Sequence, residues 1–501
     1  MKYIKYTALG LLASIAISNS SCSSDFLDTT PTQSVSEGDI SATIDGLYIA
    51  LNGIHRKMVS QDTEIQALGG EPGFMMSRDA MGDDMTWATN TWLQQNLTWE
   101  INKNNTSSYN RAPWRIYYQF ILNANKILDA LPNIVRSSEA EEKKANQIKG
   151  ECLCIRAWAH FQLVQYYAKA YKSGTPNTQL GVPYRENAQP IIDIARNTVE
   201  EVYTKINRDL DEAVILLAGY KAVDINHYTE KVAWGLKARV ALTQQNYAKA
   251  GEYAAKAISL AETEGFRMMT KSELSNGFAN ITVDTKDALY AAMTRDDQTV
   301  YFYSYYAYMS WNFNSTAIRQ GVKCINQMTY DKMSATDLRR AWWDPSGKAE
   351  VPASSFGKAP YQNRKFRARS TANAVGDVAF MRLSEMYLIA AEAYARANNN
   401  TEAKRFFLAF VAQRDPSYVD KGNTGTALAE EVMIHRRIEL WGEGFRWFDL
   451  KRLNLPVERN GSNFDATFCG FISKTQAQED GWYYEIPKSE SDYNKLMVKN
   501  Y

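Results

Sequence analysis

The chain is short of cysteine, histidine and net charge, and beyond its first residues it has no long apolar run. Five cysteines in 501 residues exclude a disulfide-dense scaffold. They stand at 22, 152, 154, 324 and 469, and no two form a C-x-x-C pair. Zinc ribbons and thioredoxin-type redox motifs are therefore excluded. The four histidines, His55, His160, His227 and His435, are far apart. No H-E-x-x-H occurs and no Cys/His cluster has metal-ligand spacing, so neither a metal nor a cofactor is expected. Lys plus Arg number 57 against 56 Asp plus Glu, a net charge of +1. A near-neutral chain without a long basic run argues against nucleic acid as the main partner. Past the N-terminus nothing approaches the length of a transmembrane helix.

What is present is globular material, 45% hydrophobic, 23% charged and 12% aromatic, enough to bury a sizeable core. The N-terminus is different. Lys2 and Lys5 precede an apolar run over 8–17, then Ser18-Asn19-Ser20-Ser21 and Cys22. This is a charged n-region, a short h-region and a small-residue cleavage zone. A signal that ends at cysteine resembles a bacterial lipoprotein signal. Removal of 1–21 and acylation of Cys22 would anchor the chain by lipid, with Ser23-Ser24-Asp25 as the start of a tether.

The body reads as helix. Val199, Val202, Ile206, Leu210, Ala213 and Leu217 recur at spacings of three and four, one face of a 3.6-residue period. Thr198 is the expected N-cap, with Glu201 as its capping-box partner. Ile148, Cys152, Ile155, Ala159 and Leu163 form a second stripe, which Gly174 and Pro176 are expected to close. Two segments resemble the tetratricopeptide helix pair, one through Ala238, Ala241, Tyr247, Ala250, Ala254 and Ala257, the other through Ala391, Tyr394, Ala403, Phe407 and Phe410. Small residues at those offsets let antiparallel helices approach closely. More than a hundred residues separate the two segments, so the chain is not a plain solenoid. The intervening stretch is punctuated by glycine and proline (Gly265, Gly277, Gly321, Pro345, Gly347, Pro352, Gly357, Pro360). It reads as long loops with a few short helices or strands, where binding residues concentrate.

Five ordered stretches resemble the SusD/RagB family of outer-membrane nutrient-binding lipoproteins. They are Asp25-Phe26-Leu27-Asp28-Thr29-Thr30-Pro31; Gly150-Glu151 through Arg156-Ala157 and Phe161-Gln162-Leu163-Val164, followed by Gly181-Val182-Pro183; Arg382-Leu383-Ser384-Glu385 with Ala390-Ala391-Glu392-Ala393; Arg436-Arg437-Ile438-Glu439-Leu440 with Glu443-Gly444 and Arg446-Trp447-Phe448-Asp449-Leu450; and Ile486-Pro487-Lys488-Ser489-Glu490. The resemblance implies an all-α fold, with tetratricopeptide-like helix pairs forming a single large helical unit with long loop-rich insertions. The expected organisation is a signal peptide over 1–21 and a SusD-like unit over 22–501. Within that unit, 22–261 is the N-terminal helical part, 262–375 the loop-rich insert and 376–501 the C-terminal signature part. The resemblance further implies a surface-exposed, lipid-anchored protein of the cell outer membrane. Such a protein captures oligosaccharides for a SusC-like TonB-dependent transporter and performs no covalent chemistry. A peptide-binding member of the same family and a lipid-anchored glycosidase are the alternatives.

The glycosidase alternative would use Glu439, Glu443 and Asp449 as paired carboxylates. Their spacing among Arg436 and Arg446 favours ion pairs along and between helices instead, with Gly442 and Gly444 bending the chain. Asp79, Asp83 and Asp84 lack the EF-hand pattern and read as a solvated acidic loop. The aromatic run YFYSYYAYMSWNF over 301–313 holds eight aromatics. Trp and Tyr stack on the C–H faces of sugar rings while amides bond the hydroxyls, the general form of a small-ligand site. The candidate ligand contacts are Trp87, Asn90 and Trp92 from the N-terminal half with Tyr306, Trp311 and Asn312 from the insert. Trp342-Trp343 is a reserve. No loop is rich in Arg and Lys beyond the basic cluster Lys358, Arg364, Lys365, Arg367 and Arg369, which favours a neutral glycan; the cluster itself would face either a sulfated or uronic glycan or the transporter.

Overall fold

The computed structural model describes residues 41–61, 65–89, 92–276, 278–295, 301–470, 473–474 and 481–501. The expected lipidation site Cys22 and the candidate contact Asn90 lie outside them. Eleven helices of eight or more residues carry the described body: α1 (Ile44–Lys57), α2 (Gly70–Ala80), α3 (Ser108–Ala130), α4 (Glu139–Tyr167), α5 (Val199–Leu216), α6 (Glu230–Thr243), α7 (Tyr247–Thr263), α8 (Leu383–Arg396), α9 (Asn400–Ala412), α10 (Gly425–Glu439) and α11 (Arg446–Leu453). Strands are few and no longer than five residues: β1 (Met85–Trp87), β2 (Ala288–Ala292), β3 (Lys323–Ile325), β4 (Trp343–Asp344), β5 (Gln362–Asn363), β6 (Val378–Arg382), β7 (Val457–Glu458) and β8 (Ser473–Lys474).

The sequence signals account for the helix limits. Thr198 caps α5 by accepting from Glu201 N, and Glu201 returns the bond to the Thr198 backbone, satisfying two otherwise orphaned donors. All six stripe residues of α5 are buried. α4 behaves differently at its two ends. Its first half exposes charged residues, whereas 150–167 is buried on every side. The helix ends at Tyr167, seven residues before Gly174, because Ala168 turns extended at φ −131° and ψ 161°.

α6 packs on α7, α7 on α8, and α8 on both α9 and α10. The two helix pairs that are distant in sequence are therefore adjacent in space. Gly251 of α7 makes the approach possible, since a Cβ there would lie 2.9 Å from the Tyr394 ring of α8. The chain between the pairs leaves and returns through one antiparallel ladder, β2 on β6. Beyond that ladder, β1 from the N-terminal half joins the insert in a four-stranded sheet of order β1-β3-β5-β4. One continuous apolar core runs from Ile44 to Met497. The result is an all-α unit of tetratricopeptide-like pairs with loop-rich insertions. No helix among the described residues is long and apolar enough to cross a membrane.

Candidate functional site

The signature carboxylates are committed to buried cations. Glu439, at the end of α10, accepts from Arg414 Nε at 2.9 Å and Nη2 at 3.0 Å, and from Arg382 Nη1 at 3.0 Å. Arg339 approaches it at 3.4 Å. Glu443 binds Arg382 and Lys365, each at 2.7 Å. Asp449 is held by Arg436 at 2.8 Å and Arg452 at 2.7 Å. Burial alone would raise the Glu439 carboxyl, but Arg414 and Arg382 hold it well below the ordinary carboxylate range. Asp449 is brought down to about 2, with Arg436 and Arg452 outweighing the desolvation. The ion pairs therefore form between elements more than along one helix. Carboxylates so paired are poor proton donors and poor nucleophiles. The chain bends at Gly442 and Gly444, both at φ +83°, where a Cβ would strike Phe366 and Met75.

The acidic loop is not solvated. Asp79, Asp83 and Asp84 are each 3% exposed. Arg446 meets Asp83 and Arg437 meets Asp84, both at 2.6 Å. Asp83 falls to about 2, since Arg446 and Arg437 overcome the burial. Burial instead pushes Asp79 up to about 7, against its bonds from the Gly444 and Arg446 backbone. The signature segment 436–446, distant in sequence, supplies the partners that remove these residues from water.

Part of the aromatic run is core. Tyr305, Tyr306, Tyr308 and Phe313 are buried. The Tyr306 hydroxyl donates to the carbonyls of Asp377, at 2.8 Å, and Phe278, and its ring covers Gly376, where a Cβ would sit at 2.4 Å. Asn312 is 4% exposed. Its amide donates to Ala368 O at 2.9 Å and accepts from Ala368 N at 2.8 Å, pinning the basic cluster between Arg367 and Arg369. Both candidates point inward with their polar groups satisfied. Trp342 is likewise internal, with Nε1 donating to Leu274 O at 2.7 Å, and Trp343 is buried beside it.

Each of the three tryptophan candidates has a link to Lys323 of β3, directly or through Tyr308. Trp87 of β1 pairs with Lys323 of β3. It is 5% exposed, and its buried Nε1 has no hydrogen-bond partner. Trp92 is half-buried and meets the Tyr308 ring edge-on at 6.2 Å, and Lys323 Nζ lies 5.9 Å from that same ring. Lys323 also lines a cavity of about 20 Å³, together with Trp311, Phe356, Gln362, Asn363 and Arg364 among others. Trp311 is half-buried and fixed through its backbone N–H to Phe366 O at 3.1 Å. The Arg364 guanidinium lies over its ring at 4.5 Å and that of Arg367 at 6.0 Å. Burial pushes the Lys323 amine down to about 7. Lys323 and Gln362 were invisible as site residues in the sequence, because only the β1-β3-β5 ladder brings them beside the tryptophans.

Two histidines also meet. His55 Nε2 and His227 Nδ1 each lie 3.0 Å from Glu151 Oε2, and Tyr228 N donates to the same oxygen at 3.0 Å. The three side chains form a buried set within 4.8 Å. Tyr290 and Tyr48 hydroxyls reach the outer ring nitrogens at 3.1 and 3.4 Å. This junction ties α1 and the 225–228 loop to α4. Its residue types fit a small divalent cation, but hydrogen bonds already connect every member.

Comparison with known proteins places these features in a family. Residues 25–242 match the family described as "Starch-binding associating with outer membrane", and residues 264–501 match the SusD family. A SusD-like protein of Formosa agariphila is 21% identical over 407 residues, 72% of this chain and 76% of the relative. A SusD-like carbohydrate binding protein from Bacteroides vulgatus superposes with a TM-score of 0.77 at 23% identity, over 91% of this chain and 98% of that one. A surface glycan-binding protein from Bacteroides fluxus gives 0.70 at 18% identity, over 90% and 97%.

Proposed function

The chain belongs to the SusD/RagB family, and on that ground we propose that it is a surface lipoprotein that binds oligosaccharides and passes them uncut to a SusC-like TonB-dependent transporter. Acylated Cys22 would hold it to the outer membrane. The observation that carries the binding half is the grouping of Trp87, Trp92 and Trp311 around Lys323, with Trp92 and Trp311 reaching the surface. Those two are the stacking platforms. Asn90, between Trp87 and Trp92 in sequence, is proposed to bond ligand hydroxyls. Tyr306 and Asn312 shape the platform from beneath through the Asp377 and Ala368 backbone. The pairing of Glu439, Glu443 and Asp449 with buried arginines supports binding without hydrolysis.

A second surface supports the partner half. A cleft of about 610 Å³ lies between α3, the 183–194 segment and the C-terminal 489–497 segment. Leu122, Ile192 and Tyr493 on its lining are 41%, 81% and 80% exposed. Exposed apolar groups clustered in this way mark protein-facing surfaces.

Titration calorimetry against plant, host and microbial oligosaccharides tests the proposal. At least one glycan binds, and Trp311→Ala weakens it by about 1–3 kcal/mol, by analogy with base stacking on aromatics, with no loss of fold. Reducing-sugar release by the protein alone would reject it in favour of a glycosidase. Binding of peptides but no glycan would favour the peptide-binding alternative.

A further inference from the structure

Of the five cations in the basic cluster, two have strong internal partners. Lys365 is bound to Glu443 at 2.7 Å and to the Glu439 and Trp441 carbonyls at 2.8 Å. Arg369 is bound to Asp377 at 2.8 Å. Arg364 differs. Its backbone is fixed to Trp342 O at 2.7 Å and its guanidinium lies over Trp311, yet its Nε and Nη2 are buried and have no hydrogen-bond partner. Those two atoms form one edge of the guanidinium, the parallel pair of donors that a carboxylate or sulfate oxygen pair accepts. A buried donor without a partner costs about 1–3 kcal/mol, and native structures keep few of them.

The surroundings do not supply the missing acceptor. Asp344 is the opposing charge that acts on it, but its oxygens accept from Ser346 Oγ at 2.6 Å, Ala349 N at 2.7 Å and Gln362 Nε2 at 3.2 Å. Among the described residues that line the cavity, the charged ones are Lys323 and Arg364, and none is acidic. The exposed Arg367 adds a third cation near the same ring. A cavity of about 20 Å³ has room for one water-sized group, not for a sugar ring. Burial lowers the Arg364 pKa against the pull of Asp344, as expected of a cation without a close anion. Because neither donor is engaged, turning the fork toward a ligand breaks no hydrogen bond.

We propose that this site selects acidic glycans: a sugar ring rests at Trp311 while its carboxylate or sulfate is taken bidentately by the Nε–Nη2 edge of Arg364. The inference rests on the glycan-binding reading above and narrows its substrate class to uronic or sulfated sugars.

The test compares glycans matched except for the anionic group. Xylo-oligosaccharides are titrated beside glucuronic-acid-substituted xylo-oligosaccharides, and unsulfated chondroitin oligosaccharides beside their sulfated forms. Neutral galacto-oligosaccharides are set against oligogalacturonides. At least one acidic probe binds tenfold or more tighter than its less charged counterpart, and the first and second pairs separate carboxylate from sulfate. Arg364→Gln collapses that ratio at least tenfold. Arg364→Lys, which keeps the charge but loses the fork, restores only part of it. Unfolding profiles of both variants confirm an intact fold. Equal or tighter binding of the less charged members, or an unchanged ratio in Arg364→Gln, overturns the inference and leaves glycan binding standing. Absence of binding by every probe overturns both.

Discussion

Replacing Glu439 by glutamine probes the charge network that the signature segment builds. Four carboxylates (Asp287, Asp337, Glu439 and Glu443) face four cations (Arg339, Lys365, Arg382 and Arg414) in linked pairs. Every member is buried. Glu439 is the carboxylate that Arg414 contacts, and the other Arg414 bonds go to neutral atoms, Met269 O and Ser384 Oγ. Glutamine keeps the size but removes the charge, and its amide nitrogen must face a guanidinium. Breaking one partner from a buried ion pair costs about 3–5 kcal/mol, chiefly because the remaining charge is stranded. Glu439→Gln should therefore lower the free energy of unfolding by about 3–5 kcal/mol in urea titrations followed by circular dichroism. The control is Glu402→Gln, which loses the partly exposed Arg405 pair one turn away and should cost under about 0.5 kcal/mol. A cost below about 1 kcal/mol for Glu439→Gln would refute the structural assignment of these carboxylates.

His160 gives the chain a pH dependence. Its Nδ1 donates to Arg156 O at 2.9 Å, its Nε2 accepts from Arg185 N at 3.0 Å, and burial pushes it down to about 3. The unfolded chain takes up its proton near pH 6.5 while the folded chain does not, so stability is lost as pH falls through that value. Between pH 6.5 and 5 the loss is about 2 kcal/mol; His160→Gln should flatten the slope in that window, and an unchanged slope would contradict the burial argument. Gly251→Val places branched atoms against the Tyr394 ring, 2.9 Å from the Cβ position, and should cost about 1–3 kcal/mol through overpacking. Thermal unfolding of the single variant and of its combination with Tyr394→Ala measures this, and equal penalties in both backgrounds would exclude that contact as the cause.

Much of the helical body was legible because periodicity and caps are local. The α5 stripe and its Thr198–Glu201 box depend on residues within one or two turns. The tetratricopeptide-like pairs were legible from small residues at fixed offsets, but their side-by-side packing was not, since it depends on a ladder, β2 on β6, closed across the insert. Asp83 and Asp84 read as solvated because their partners, Arg437 and Arg446, lie more than 350 residues away. The aromatic run misled in a similar way. Tyrosine density marks a surface that is wet on one side, but Tyr305 and Tyr306 meet that need internally, through Gly442 O and Asp377 O. Trp87, Trp92 and Trp311 were legible by residue type, but their relation to Lys323 was not, since it depends on the β1-β3 pairing and on the fold of the insert. Arg364 was visible as one member of a basic cluster, and only the contacts of Lys365 and Arg369 set it apart.

Difference density from crystals soaked with the tightest-binding oligosaccharide tests the central claim most directly. The account predicts an intact glycan lying against Trp92 and Trp311, with hydrolysis products absent. A glycan seated instead in the cleft between α3 and 489–497, or a cleaved chain beside Glu439 and Glu443, would contradict it.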